Sequence, residues 1–166
     1  FIVSARRSYV DLFLRAADND NLVYFYDVNA KVNWRANNKN RFFLALYAGR
    51  DNFSFGDDFG FDWGNRTATF RWNHLFSDKL FSNTSLIASN FNYGLKSSSE
   101  ADGFTWDSDL AEFSLKNDLN YFISPKFELD FGYHLTYRAF APGKIQGTEE
   151  SIFEDTELQK EFALDH

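Results

Sequence analysis

Residues 127–140 read FELDFGYHLTYRAF. Every second residue from Phe127 is apolar or aromatic: Phe127, Leu129, Phe131, Tyr133, Leu135 and Tyr137. Glu128, Asp130, Gly132, His134, Thr136 and Arg138 fall between them. A period of two puts the two sets on opposite faces of a β-strand, one dry and one wet. Alternation alone leaves the partner of the dry face open, because a protein core and a lipid bilayer impose the same pattern.

The alternation recurs along the chain. Tyr24, Tyr26, Val28, Ala30, Val32 and Trp34 share one face, opposite Asp27, Asn29, Lys31, Asn33 and Arg35. Ala68, Phe70 and Trp72 oppose Asn65, Thr67, Thr69, Arg71 and Asn73. Phe113, Leu115, Leu119, Tyr121 and Ile123 oppose Ser114, Lys116, Asp118 and Asn120. RFFLALYAG (41–49) is apolar on both faces, and LFSNTSLIASNFNYGL (80–95) does not declare its dry face. A further strand is expected from Phe1 to about Leu12. Helical spacing fits almost none of these runs; the tail EESIFEDTELQKEFAL (149–164) reads either as a short helix or as an acidic loop.

Bulk properties narrow the class. At 166 residues the chain is long enough for one domain with a sizeable core. It begins at Phe1, contains no Met and shows no signal peptide, which reads as a piece of a longer, processed protein. Without cysteine there is no disulfide framework and no thiolate metal site. A net charge of -7 argues against a nucleic-acid partner, whose phosphates need a basic surface. No apolar run is long enough for a transmembrane helix. A mean hydropathy of -0.44 is compatible with a membrane β-barrel, because only alternate residues of such strands meet lipid. Aromatic residues make up 20% of the chain, with 21 Phe against 2 Pro, a composition that favours long unbroken strands.

The connections add a direction. ANNKN (36–40), SDK (77–79) and SPK (124–126) are tight turns. DNFSFGDDFGFD (51–62), SSSEADGFTWDSD (97–109) and everything after about Pro142 read as long loops, with RAADND (15–20) the shortest of that set. Turns alternate short and long, so one end of an antiparallel sheet carries only tight turns and the other only loops. Short periplasmic turns and long extracellular loops mark outer-membrane barrels. Strands of about 10–15 residues exceed the globular average of about 5–6 and suit a tilted membrane crossing of about 9–11. Trp34, Trp72, Tyr121 and Phe127 near strand ends fit interfacial girdles.

Three stretches carry a resemblance: FIVSARRSYVDLFL (1–14), FYDVNAKVNWRANNKNRFFLALYAGRDNF (25–53) and FGFDWGNRTATFRWNHLFSDKLFSNTSLIASNFNY (59–93). Their strand-turn-strand phrases resemble the barrel region of TonB-dependent outer-membrane receptors of the Bacteroidetes type, over most of the chain to about Tyr137. The resemblance implies a barrel of about 22 strands around an N-terminal plug, of which about seven are present here. On that reading residues 1–166 are part of one receptor barrel domain in the outer membrane of a Gram-negative bacterium. The plug, through which such receptors contact the TonB complex, and the remaining strands lie outside this sequence. The implied function is binding and import of a scarce nutrient (siderophore, haem, cobalamin, glycan or peptide), without chemistry on it and without a cofactor. The expected fold is all-β: an antiparallel up-and-down segment of a transmembrane β-barrel.

No enzyme motif accompanies these strands. His74, His134 and His166 stand in no metal-ligand spacing, and no catalytic serine, phosphate or dinucleotide fingerprint is present. Asp57, Asp58 and Asp62 in GDDFGFDWG do not follow the EF-hand spacing and read as a solvated loop. Glu128 and Asp130 share a strand face and read as lumen charges rather than a catalytic pair. The ligand-binding candidates are loop aromatics: Phe59, Phe61 and Trp63 in one loop, Phe104 and Trp106 in the next. Such rings could stack on a sugar, haem or siderophore, or pack loop against loop. Two other readings stay open: a small structural or adhesion barrel, and a secreted soluble β-sandwich that binds carbohydrate through Trp63 or Trp106. An odd strand count argues against a barrel closed by this chain alone. An isolated piece of this kind would not be a stable monomer in water, with open strand edges and a bare apolar belt.

Overall fold

A computed structural model of the chain describes residues 1–98, 103–147, 156–157 and 161–165. One antiparallel sheet accounts for nearly all of them, its strands adjacent in chain order. They are β1 (Ile2–Arg7), β2 (Leu22–Arg35), β3 (Asn40–Phe55), β4 (Phe59–Ser77), β5 (Leu80–Ser97), β6 (Phe104–Ser124) and β7 (Phe127–Gly147). Two short strands, β8 (Thr156–Glu157) and β9 (Glu161–Asp165), both pair with β7. The sheet is open: β1 pairs only with β2, and no ladder joins β1 to β7 among the described residues. No helix among the described residues is long and apolar enough to cross a membrane.

Several boundaries differ from those expected. β1 stops at Arg7, and Val10–Ala16 forms a helix, α1, where strand was expected to about Leu12. Asp11 in its first turn and Arg15 in its last complement the helix dipole, and Asp11 also binds Arg7 at 2.8 Å. The chain leaves α1 through Asp18, which has φ +55. The expected long loop at 51–62 is almost all strand, since β3 and β4 are joined by residues 56–58 alone. Gly56, at φ +56, turns the chain there. The connection between β5 and β6 shrinks likewise to residues 98–103, and β7 continues past Pro142 to Gly147. The tail, expected as helix or acidic loop, contributes strand where it is described, at β8 and β9. The tight turns at 36–39, 78–79 and 125–126 stand as expected, but the contrast with long loops at the other end is much weaker.

β7 accommodates Pro142 with a bulge. The register shifts between Asp107 and Asp109, so that Pro142 and Gly143 oppose Ser108 alone. Proline has no N–H to give the ladder, and a bulge is where a strand tolerates it.

Register sorts the side chains into two faces. One, here the belt face, carries four rows across the sheet near the turn end. Trp34, Phe42, Trp72, Thr84, Asn117 and Tyr133 form the first row, and Val32, Leu44, Phe70, Leu86, Leu115 and Leu135 the second. Above them lie Ala30, Leu46, Ala68, Ala88, Phe113 and Tyr137. Val28, Ala48, Arg66, Asn90, Ala111 and Ala139 close the belt. On β5, undeclared in sequence, register places Leu86 and Ala88 on the belt face and Phe81, Ile87 and Phe91 on the opposite one. Toward the loop end the belt face becomes polar. There Arg50 pairs with Asp62, Asn90 donates to Asp109 at 2.8 Å, and Lys96 and Asn92 follow on β5.

The opposite face has the reverse order. Its turn-end half is mainly polar, with Lys31, Asn33, Arg71, Asn83, Lys116, Asp118, Asp130 and His134, among which Phe43, Leu75, Phe81 and Ile87 are interspersed. Arg138 pairs with Glu112 at 2.7 Å, Arg6 with Asp27, and the buried Ser114 and Thr136 hydroxyls meet at 3.1 Å. Its loop-end third is aromatic, with Phe53, Phe61, Trp63, Tyr93, Leu95 and Trp106. The apolar side of the sheet therefore changes face at about the row of Gly49, Asn65 and Phe91, with no register slip on β3 or β5 there.

No hydrophobic side chain among the described residues is buried. Leu86 remains 51% and Phe113 59% exposed, although both sit mid-sheet. Each such side chain forgoes about 1.5–3 kcal/mol that burial would supply. A single layer with both faces bare lacks the term that offsets chain entropy in a globular domain.

Candidate functional site

Phe59, Phe61 and Trp63 lie on β4, and Phe104 and Trp106 on β6; none is in a loop. The misplacement has a physical cause. Glycine and aspartate around Phe59 and Phe61 signal a turn, but cross-strand aromatic pairs extend the ladder through them. Phe53 and Phe61 are direct partners with ring centroids 5.0 Å apart and planes within 8°. Trp63 stacks on both at 5.5 Å, and Phe59 joins Phe61 at 6.1 Å.

All five candidates project from the same face at the same end, but β5 divides them. Phe61 opposes Leu95, which opposes Trp106; Phe59 opposes Ser97, which opposes Phe104. Tyr93 bridges the halves: it is the partner of Trp63, and its ring meets Trp106 edge-on at 5.7 Å. Trp106 is fixed by the bulge, its indole N–H donating to the Pro142 carbonyl at 3.0 Å, while Ser108 Oγ donates to the Ala141 carbonyl at 3.1 Å. The result is one aromatic wall across four strands. Phe53, Tyr93 and Leu95 belong to it but escaped the sequence reading. Phe53 and Phe55 alternate in step with Phe59, Phe61 and Trp63 across the Gly56 turn, and that was the available signal.

The wall holds few charges. Asp51, the partner of Trp63, is the one carboxylate on this face within β3–β5 at this level. Asp62, read in sequence with Asp57 and Asp58 as a loop acid, points to the other face and is engaged by Arg50. No three His, Cys, Asp or Glu side chains cluster at metal-binding distance among the described residues.

The remaining candidates are structural in their contacts. His74 Nδ1 lies 2.7 Å from Asn40 Oδ1, which also accepts the Trp72 indole N–H at 3.0 Å. Both rings belong to an aromatic row at the turn end, where Phe42 stacks on Trp34 at 5.5 Å and on Trp72 at 6.3 Å. His134 Nε2 sits 3.3 Å from Thr136 Oγ1. Asp130 is bonded by Asn120, and Glu128 shares its face. His166 lies outside the described residues. These described groups make local contacts within the sheet and do not assemble a nucleophile, base and orienting group. No protein-family model, curated protein or solved structure matches the chain.

Proposed function

We propose that the chain forms part of the wall of a transmembrane β-barrel, of the nutrient-uptake receptor type that its sequence resembles. The belt face meets lipid and the opposite face lines the lumen. The change of apolar face between the two ends of the strands carries this reading. A soluble sandwich keeps one face dry from end to end, because its core runs the length of the strands. A membrane wall needs an apolar exterior only across the hydrocarbon. Beyond it, water surrounds the outside and apolar residues retreat inward.

Dimensions support the assignment on β7. Leu129 to Ala139 spans about 33 Å along the strand, or about 23 Å in height at a 45° tilt, against an apolar band of about 25 Å. The belt is shorter on β2 and β3, where it starts at Trp34 and Phe42. Those rings and Trp72 suit an interfacial girdle. The turn-end lumen is polar and its charges are paired or hydrated, as in barrel interiors. The aromatic wall at the loop end is then a surface that an incoming nutrient would meet. The import function itself rests on the resemblance of residues 1–14, 25–53 and 59–93.

Cell fractionation tests the reading. The full-length protein, expressed in a Gram-negative host, is expected in the outer-membrane pellet after an alkaline wash and to require detergent for release. Recovery in the soluble periplasmic or secreted fraction without detergent would end the proposal.

A further inference from the structure

We infer that the belt face carries a seat for one phosphate-bearing lipid, built around Arg66. This rests on the membrane reading above. On β4 and β5, Ala68 and Ala88 are direct partners and leave a dent of about 590 Å³ in the belt, between Leu46 on β3 and Phe113 on β6. The lining is mostly apolar, with Tyr47, Thr67 and Ser89, whose side chains alternate to the other face, also contributing. At its upper margin Arg66 and Asn90, themselves partners, stand side by side. That margin is the row at which the belt face turns from apolar to polar, the level of lipid headgroups.

The charge arrangement identifies the occupant. Of the carboxylates on this face toward the loop end, Asp62 is paired with Arg50 and Asp109 accepts from the Asn90 amide, while Asp107 lies two rows beyond Arg66 and two strands away on β6. No hydrogen bond or ion pair holds the Arg66 guanidinium among the described residues. An exposed cation without a counter-ion, one residue pair above an apolar dent, matches an amphiphile with an anionic head and an acyl tail. The planar guanidinium favours phosphate, which it can bind with two parallel N–H donors. The acyl chain covers Ala68 and Ala88, and the phosphate meets Arg66.

Native mass spectrometry of the full-length protein in detergent tests this, with lipid A carrying its phosphates and the dephosphorylated form as probes. Wild type should retain the phosphorylated lipid about five- to tenfold better than the dephosphorylated one. Arg66→Gln should abolish that preference and leave the protein folded, because the side chain is exposed. Ala88→Leu, which fills the dent, should weaken both lipids alike. Equal retention of both lipids by wild type, or no effect of either substitution, would overturn the seat. A protein that needs detergent yet retains neither lipid refutes this inference alone. One soluble without detergent refutes the membrane reading as well.

Discussion

Leu86→Arg is expected to destabilise the full-length protein in lipid vesicles by about 2–4 kcal/mol and to lower its yield in the outer membrane. Leu86 lies in the middle of the belt, with Phe70 and Leu115 as its cross-strand partners. Ser85→Glu, one residue away on the opposite face, should change stability by less than about 1 kcal/mol, since its direct partners are the cations Arg71 and Lys116 and the membrane reading keeps that face wet. The pair is diagnostic because of the exposure of Leu86. A half-exposed leucine on a sheet in water tolerates arginine at little cost, whereas the same position in hydrocarbon does not. Unfolding titrations in vesicles read the difference, and equal small effects for both variants would contradict a lipid-facing belt.

The second large effect belongs to the bulge. Gly143→Ala should cost about 2–5 kcal/mol and disorder the environment of Trp106. Gly143 has φ +137, which side-chain-bearing residues rarely adopt. A Cβ there would fall 1.6 Å from the Trp106 indole nitrogen, so the ring would have to leave. Its hydrogen bond to the Pro142 carbonyl and its edge contact with Tyr93 would go with it. Tryptophan fluorescence and hydrogen exchange report the change at the loop end of β6, with β2–β4 unaffected. An unshifted emission spectrum would show that Trp106 does not depend on the bulge.

The turn-end halves of the strands were legible from sequence. Val28, Ala30, Val32 and Trp34 alternate with polar residues, as do Phe113, Leu115 and Leu119, and one face dry with one wet is what period-two patterning records. The loop-end thirds were not legible because the phase inverts. On β4 the apolar set is Phe59, Phe61 and Trp63, then becomes Ala68, Phe70 and Trp72, shifting from odd to even positions. On β3 Phe53 and Phe55 are odd, whereas Phe42, Leu44 and Leu46 are even. A reading that assumes one dry face per strand meets a break at such an inversion, and the glycines and aspartates nearby suggest a loop. The five aromatic candidates were therefore assigned to loops, and Phe53 and Tyr93, which share their wall, were not singled out. α1 was hidden for a different reason. Its short apolar run satisfies both patterns, Val10 and Leu12 at strand spacing and Val10, Phe13 and Leu14 at helical spacing, and length does not arbitrate for so few residues.

Lipid contact along β5 is the most direct test of the account. The chain contains no cysteine, so Ser85→Cys, Leu86→Cys, Ile87→Cys, Ala88→Cys, Asn92→Cys and Tyr93→Cys each add one label site to it. A fluorophore at each position of the full-length protein, in vesicles containing brominated lipid, reports proximity to hydrocarbon. The account predicts strong quenching at 86 and 88, little at 85 and 87, and none at 92 or 93, where both faces have left the hydrocarbon. Quenching that ignores the alternation, or that favours 85 and 87, would contradict it.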